Sequence, residues 1–238
     1  MSLLELRGVS KSHVCRSRRV EVLRDVSLEV DTGELVAVWG MRRSGRSTLL
    51  AVAAGIDVPD AGAVFYEGKD LAARGVAALG NGIGYCHPGI GTASRRTVVN
   101  HVRAGLLARG VSVPVAHSRV HDALQRVGLE GLPRLVLGDL DAGEAVRVSI
   151  ACALVLGPRV LVVDEPTKGV DLLERDKIVL LLRSLADEGI AVLVSDGDGS
   201  GLSDADRALA LAGGELRGRR SPEMAAVLPL RPVGSTAV

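Results

Sequence analysis

Aromatic residues are scarce. The 238 residues hold one Trp, two Tyr and one Phe, 2% of the chain. Such a sequence offers no stacking platform for single-stranded bases, and its core has to be built from Val, Leu, Ile and Ala. Cysteine is nearly as rare. Cys15, Cys86 and Cys152 are scattered, and no two stand at metal-ligand spacing. An odd, sparse set argues against a disulfide framework and fits a reducing compartment. Charge of one sign is also lacking: 29 basic side chains face 28 acidic ones, a net charge of +1. There is thus no bulk electrostatic reason to expect nucleic acid as a partner. No stretch reaches the roughly 18 apolar residues that a membrane span needs. The N-terminal segment has no long apolar run behind a basic start, so no signal peptide is expected. No internal repeat and no low-complexity segment is visible.

What is present is an ordinary globular composition, 47% hydrophobic and 24% charged, which excludes disorder over the whole chain. At roughly 150 residues per domain the length suggests one large domain or two lobes. Residues 3–8 and 20–30 alternate apolar and polar and read as antiparallel strands. Short apolar runs at 35–39, 83–86, 160–163 and 190–195 read as strands. Helical periodicity covers 47–54, much of 97–127, 144–156 and 172–186, with Gly55 and Gly157-Pro158 as helix stops. Residues 207–217 read as a closing hairpin. The tail after about 219, with Pro222, Pro229 and Pro232, is expected to be loose. Strands alternating with helices predict an α/β fold with a mostly parallel sheet, an N-terminal antiparallel lobe and a helix-rich insertion.

Two motifs carry chemistry. Residues 40–48 read Gly40-Met41-Arg42-Arg43-Ser44-Gly45-Arg46-Ser47-Thr48. This is the phosphate-cradling pattern G-x-x-x-x-G-K-[ST], between a strand and a helix, with Arg46 in place of Lys. The layout suits anionic oxygens because loop and helix N–H groups converge on them, and a hydroxyl such as Ser47 can ligate Mg²⁺. Arg46 keeps the charge but replaces a compact ammonium by a planar guanidinium. About 120 residues downstream, Val160–Val163 ends in Asp164 and Glu165. There Asp164 can hold a metal and Glu165 can polarise an attacking water.

Together these motifs resemble the ATP-binding subunit of an ABC transporter, over about residues 3–218. DEPT at 164–167 followed by Asp171 is similar to the family's acidic strand end and D-loop. LDAGEAVRVSIACAL at 140–154 resembles the signature helix written LSGGQ-x-x-R-V-x-I-A-R-A-L. The spacing of the N-terminal strands is similar to the lipoprotein-releasing and macrolide-exporting subfamily. The resemblance implies a RecA-like P-loop NTPase core (1–87 and 156–218) with a helical subdomain at about 88–155. It also implies ATP and Mg²⁺ as ligands, a dimer with an identical or a different ATP-binding subunit, and docking on a membrane permease at the inner face of the cell membrane. Carried over residue by residue, it makes Glu165 the catalytic base, Ser47 and Asp164 the metal ligands, and Gly40 to Thr48 the phosphate cradle. It places His13 where an aromatic residue stacks on adenine. Asp141 and Gly143 fall in the signature, Asp171 in the D-loop and Asp196 at the switch position.

The departures weigh as much as the matches. Arg43 stands where the family has Gly. Pro88 stands where it has the Gln that senses metal and water, Asp141 replaces the signature Ser, and Asp196 replaces the switch His. A carboxylate near a phosphate is repelled in a partly desolvated site, and each lost donor of this kind typically lowers a rate about 100- to 1000-fold. In a dimer the chain would impair its own site through Arg43, Arg46, Pro88 and Asp196, and its partner's through Asp141. Facing a second copy, Asp141 and Glu144 would approach Arg42, Arg43 and Arg46. Two readings stay open: a transport ATPase subunit with weak or partner-dependent hydrolysis, and a non-hydrolysing scaffold that kept the fold for docking. A third, an ABC-type ATPase acting on DNA or ribosomes, lacks the expected positive charge and coiled coil. Weaker signals are His117 and His121 at helical spacing, read as a solvated face, and the basic cluster Arg16, Arg18 and Arg19, read as a hairpin loop. Trp39 is read as core, and Arg95 and Arg96 as candidate docking residues.

Overall fold

The computed structural model describes residues 2–15, 18–72, 82–87, 95–197 and 204–220. Arg16, Pro88 and the tail from 221 onward lie outside the described residues.

Two long strands open the chain, β1 (Ser2–Cys15) and β2 (Arg18–Asp31). They pair antiparallel, Leu6 opposite Leu28 and His13 opposite Val20. Two strands not expected from the sequence, β4 (Ala61–Tyr66) and β5 (Lys69–Asp70), complete a four-stranded sheet in the order β2-β1-β4-β5. Only Val64 and Tyr66 of β4 are buried, so its apolar pattern is too short to stand out between glycine turns.

The second sheet has six strands. β3 (Leu35–Trp39), β6 (Ile83–Cys86), β7 (Val160–Val163) and β8 (Ala191–Asp196) run parallel, and the hairpin β9 (Arg207–Ala212) and β10 (Glu215–Arg220) closes the edge, in the order β10-β9-β3-β8-β7-β6. The central strands are apolar throughout because both faces are covered. Their two-residue side-chain period sorts each strand between two cores. Leu35, Ala37, Leu161, Val163, Val192 and Val194 join the core beneath the helices α2 (Val98–Leu107), α3 (Val113–Arg126), α4 (Ala142–Leu154) and α5 (Leu172–Asp187). Val36, Val38, Val160, Val162, Ala191 and Leu193 join the other, with α1 (Arg46–Ala53) and the antiparallel sheet.

Helices α2 and α3 follow β6 in the chain, and α4 leads back to β7. Helix α4 packs closely on α5. A Cβ on Gly143 would lie 2.9 Å from Glu174 Cβ, and Arg147 Nη2 donates to Glu174 Oε2 at 2.8 Å. His117 and His121 are both exposed on α3, and no group of three or more metal-ligating side chains occurs among the described residues.

The structure corrects one expectation. Trp39 is not core: it is 43% exposed. It is the last residue of β3, paired with Asp196 and Ala210 at the C-terminal edge of the sheet, where there are too few neighbours to cover so large a side chain.

Candidate functional site

The C-terminal ends of β3, β7 and β8 converge on one edge of the six-stranded sheet, the place where open α/β sheets bind ligands. Residues 40–45 leave β3 there and turn into α1. Gly45, the residue before the helix, has φ +104°, and a Cβ on it would lie 2.8 Å from Val22 Cγ1 and 2.9 Å from Val22 O. Only glycine fits there. No side chain caps α1, so its first N–H groups remain free for an anion. Arg43 also sits in the left-handed region, φ +68°. The backbone has kept a glycine conformation under a long side chain, a strain of about 1–2 kcal/mol.

The loop lines a cleft of about 370 Å³ with Val22, Met41 to Thr48, Glu165 and Lys168. A second cleft of about 550 Å³ continues from it, sharing Arg42, Arg46, Glu165 and Lys168 and reaching Arg175 and Asp196. Arg46 does not point into open solvent. It is buried, with Nη2 on Glu165 Oε1 and Nη1 donating to Met41 O at 3.3 Å. Lys168 Nζ donates to the other oxygen, Glu165 Oε2, at 2.5 Å. Burial raises the Glu165 pKa, but hydrogen bonds from Lys168 and Arg46 outweigh it and hold the carboxyl below the usual range. Glu165 adopts φ +44°, held by these ion pairs and by its N–H donating to Ser195 Oγ at 2.9 Å. Ser195 Oγ in turn donates to Asp164 Oδ1 at 2.6 Å. Asp164 is buried and lines neither cleft.

Two polar atoms of the loop are buried with no hydrogen-bond partner, Ser44 Oγ and Arg46 Nε. Such orphans are uncommon unless something else satisfies them. With the uncapped helix and the arginines, they fit a polyphosphate. A divalent cation fits poorly. Ser47 lines the cleft, but of the two carboxylates Glu165 is held by two cations and Asp164 is buried against Ser195.

The remaining site residues are placed as follows. His13 is exposed on β1, its Nε2 3.2 Å from Thr48 Oγ1, so it stands beside the loop. Asp196 lines the second cleft. It accepts from Gly197 N at 2.7 Å and from Thr167 Oγ1 at 3.4 Å, with Arg175 Nη2 3.9 Å away. Asp141 and Gly143 lie at the start of α4, and Asp171 caps α5, accepting from Leu173 N at 3.0 Å and Glu174 N at 3.1 Å. None of these three lines the cleft of its own chain. Asp141 forms a capping box: Glu144 N donates to Asp141 Oδ1 at 2.7 Å, and Asp141 N to Glu144 Oε2 at 3.0 Å. Both carboxylates envisaged as facing a second copy, those of Asp141 and Glu144, are thus engaged at home. Sequence reasoning missed Lys168 and Ser195. Each left a faint signal, a lysine three residues after Glu165 and a lone hydroxyl in an apolar strand.

A glycine-bearing loop between a parallel strand and a helix, opposite an acidic strand end, defines a P-loop nucleotide-binding fold. The profile of the ABC transporter family matches residues 23–168. The lipoprotein-releasing system ATP-binding protein LolD of Myxococcus xanthus is 34% identical over 91% of this chain and 99% of its own length. The macrolide export ATP-binding/permease protein MacB 1/2 of Paracoccus denitrificans is 31% identical over 90% of this chain, which spans 33% of that larger protein. Among solved structures, the dimeric ATP-binding cassette MJ0796 in a post-hydrolysis state with ADP and Pi superposes at TM-score 0.82 and 25% identity, covering 91% of this chain and 98% of that one. The chain belongs to the ABC transporter family. No helix among its described residues is long and apolar enough to cross a membrane.

Two outcomes follow for the carboxylates. Asp141→Ser keeps a competent cap and leaves stability unchanged, whereas Asp141→Ala lowers it by about 1 kcal/mol. Urea unfolding of both variants checks this. Because the folded-state pKa of Glu165 lies below its ordinary 4.5, its contribution is present above pH 4.5 and is lost as the pH falls through the folded value. The urea midpoint of Glu165→Gln should therefore fall less steeply than the parent's on acidification below about pH 5.

Proposed function

We propose that the chain is the ATP-binding subunit of an ABC-type membrane transporter whose own hydrolysis is weak or depends on a partner chain. Gly40 to Thr48 hold the phosphates, His13 lies near the base, and binding is coupled to a permease. The chain divides into a core of residues 1–87 and 156–218 and a helical subdomain at about 88–155, the latter with Arg95 and Arg96 exposed for docking. It works at the inner face of the membrane, paired with an identical or a different ATP-binding subunit. The likeness to LolD, a lipoprotein-releasing system ATP-binding protein, supports this reading.

The observation that carries the weak-hydrolysis part is the ion pair of Arg46 with Glu165. Bound ATP would supply an electrophilic γ-phosphorus with ADP as the leaving group. Glu165 would have to orient and deprotonate the attacking water, and with both oxygens held by Arg46 and Lys168 it accepts a proton poorly. Asp196 adds a carboxylate at the same end of the second cleft and offers no donor to a developing charge. At the start of α4, Asp141 presents a carboxylate where a hydroxyl would donate to a partner's nucleotide. Such losses are not additive, but two or more leave little turnover. A second reading, a non-hydrolysing scaffold, is favoured by that same ion pair.

Calorimetric titration of the purified chain with ATP, and with ADP for comparison, tests the proposal. Micromolar binding of ATP is the expected result. Absence of binding up to millimolar concentration would leave only the scaffold.

A further inference from the structure

The charge in the first cleft is lopsided. Arg42, Arg43, Arg46 and Lys168 line it against a single carboxylate, Glu165. Arg42 and Arg43 have no carboxylate partner among the described residues, and Arg42 and Lys168 also line the second cleft, beside the first. Glu165 has no oxygen to spare, since Arg46 bonds Oε1 and Lys168 bonds Oε2. Asp164 spends Oδ1 on Ser195 and is sealed from the cleft. A divalent cation entering here would meet four like charges and would have to displace two ion pairs to gain one carboxylate, which is unfavourable in a partly desolvated site. A phosphate chain meets the opposite balance. It finds four cations, the uncapped N-terminus of α1, and the partnerless Ser44 Oγ and Arg46 Nε.

We propose that this cleft takes an uncomplexed di- or triphosphate, with Arg46 and Lys168 supplying the positive charge that a bound metal would otherwise supply. The inference rests on the ATP-binding reading above and specifies the form of its ligand. The uncomplexed nucleotide carries more negative charge than its Mg²⁺ complex, and the excess of cations matches it. On binding, Arg46 and Lys168 keep their hold on Glu165 and turn their remaining N–H groups, Arg46 Nε among them, to phosphate oxygens, contacts of the charge-assisted kind. Lys168 is therefore a ligand-specificity residue, placed by the turn that follows β7. Its neighbour Arg46 fixes the far side of the same carboxylate.

The test is titration of the full chain with ATP and with ADP, once in excess EDTA and once in excess MgCl₂, for the parent, Lys168→Ala and Lys168→Arg. Circular dichroism confirms that the variants are folded. The parent should bind with dissociation constants within about threefold in the two buffers. Lys168→Ala should weaken binding in EDTA about tenfold, the effect of one lost charged hydrogen bond, and Lys168→Arg should recover most of it. Binding at least tenfold tighter with Mg²⁺, or a Lys168→Ala variant that binds as well as the parent, overturns the inference and leaves the ATP reading standing. No binding in either buffer overturns both.

Discussion

The guanidinium of Arg46 lies buried on the carboxylate of Glu165, and that one contact joins the two halves of the candidate site. It ties the loop after β3 to the end of β7, two parallel strands separated in the sheet by β8. Lys168 and Ser195 complete it. Lys168 takes the free oxygen of Glu165, and Ser195 holds both the Glu165 N–H and Asp164. A buried pair of this kind is weak evidence for net stability, because desolvation offsets much of the attraction. Its consequence lies in what it withholds, a base from the water.

The sheet makes this contact possible. Four parallel strands end on one edge, and their side chains divide between two cores by simple alternation. A backbone buried on both faces has little freedom, so the strand ends that carry the loop after β3 and the Asp164-Glu165 pair are fixed by packing away from the chemistry. Two positions where the resemblance expects another residue hold a defined local geometry. Arg43 keeps a positive φ that glycine would adopt without strain, and Asp141 keeps the start of α4 through a capping box.

Much of the architecture was legible because it rests on period and punctuation. The runs at 35–39, 83–86 and 160–163 coincide with β3, β6 and β7, and the helical stretches coincide with α1 to α5 within a few residues. The short strands β4 and β5 were not legible, since strands of six and two residues carry little periodicity. Trp39 misled because apolar residues belong inside only where neighbours exist to cover them. For the site, spacing located the loop and the acidic strand end. It could not locate the pairing of Arg46 with Glu165, which depends on side-chain direction across 119 residues of chain. Nor could it show that Asp141 accepts a hydrogen bond from its own helix, although the Asp-x-x-Glu spacing at 141–144 is a cap signature.

The measurement that bears most directly on the proposed arrest of Glu165 is a single-turnover experiment. The purified chain, in excess over radiolabelled ATP and at a concentration that saturates binding, is incubated with MgCl₂ and the bound nucleotide is analysed over hours. The account predicts that it remains ATP, with phosphate release no faster than in buffer. Conversion to ADP within minutes would contradict it, because a Glu165 held by Arg46 and Lys168 could not be the base responsible.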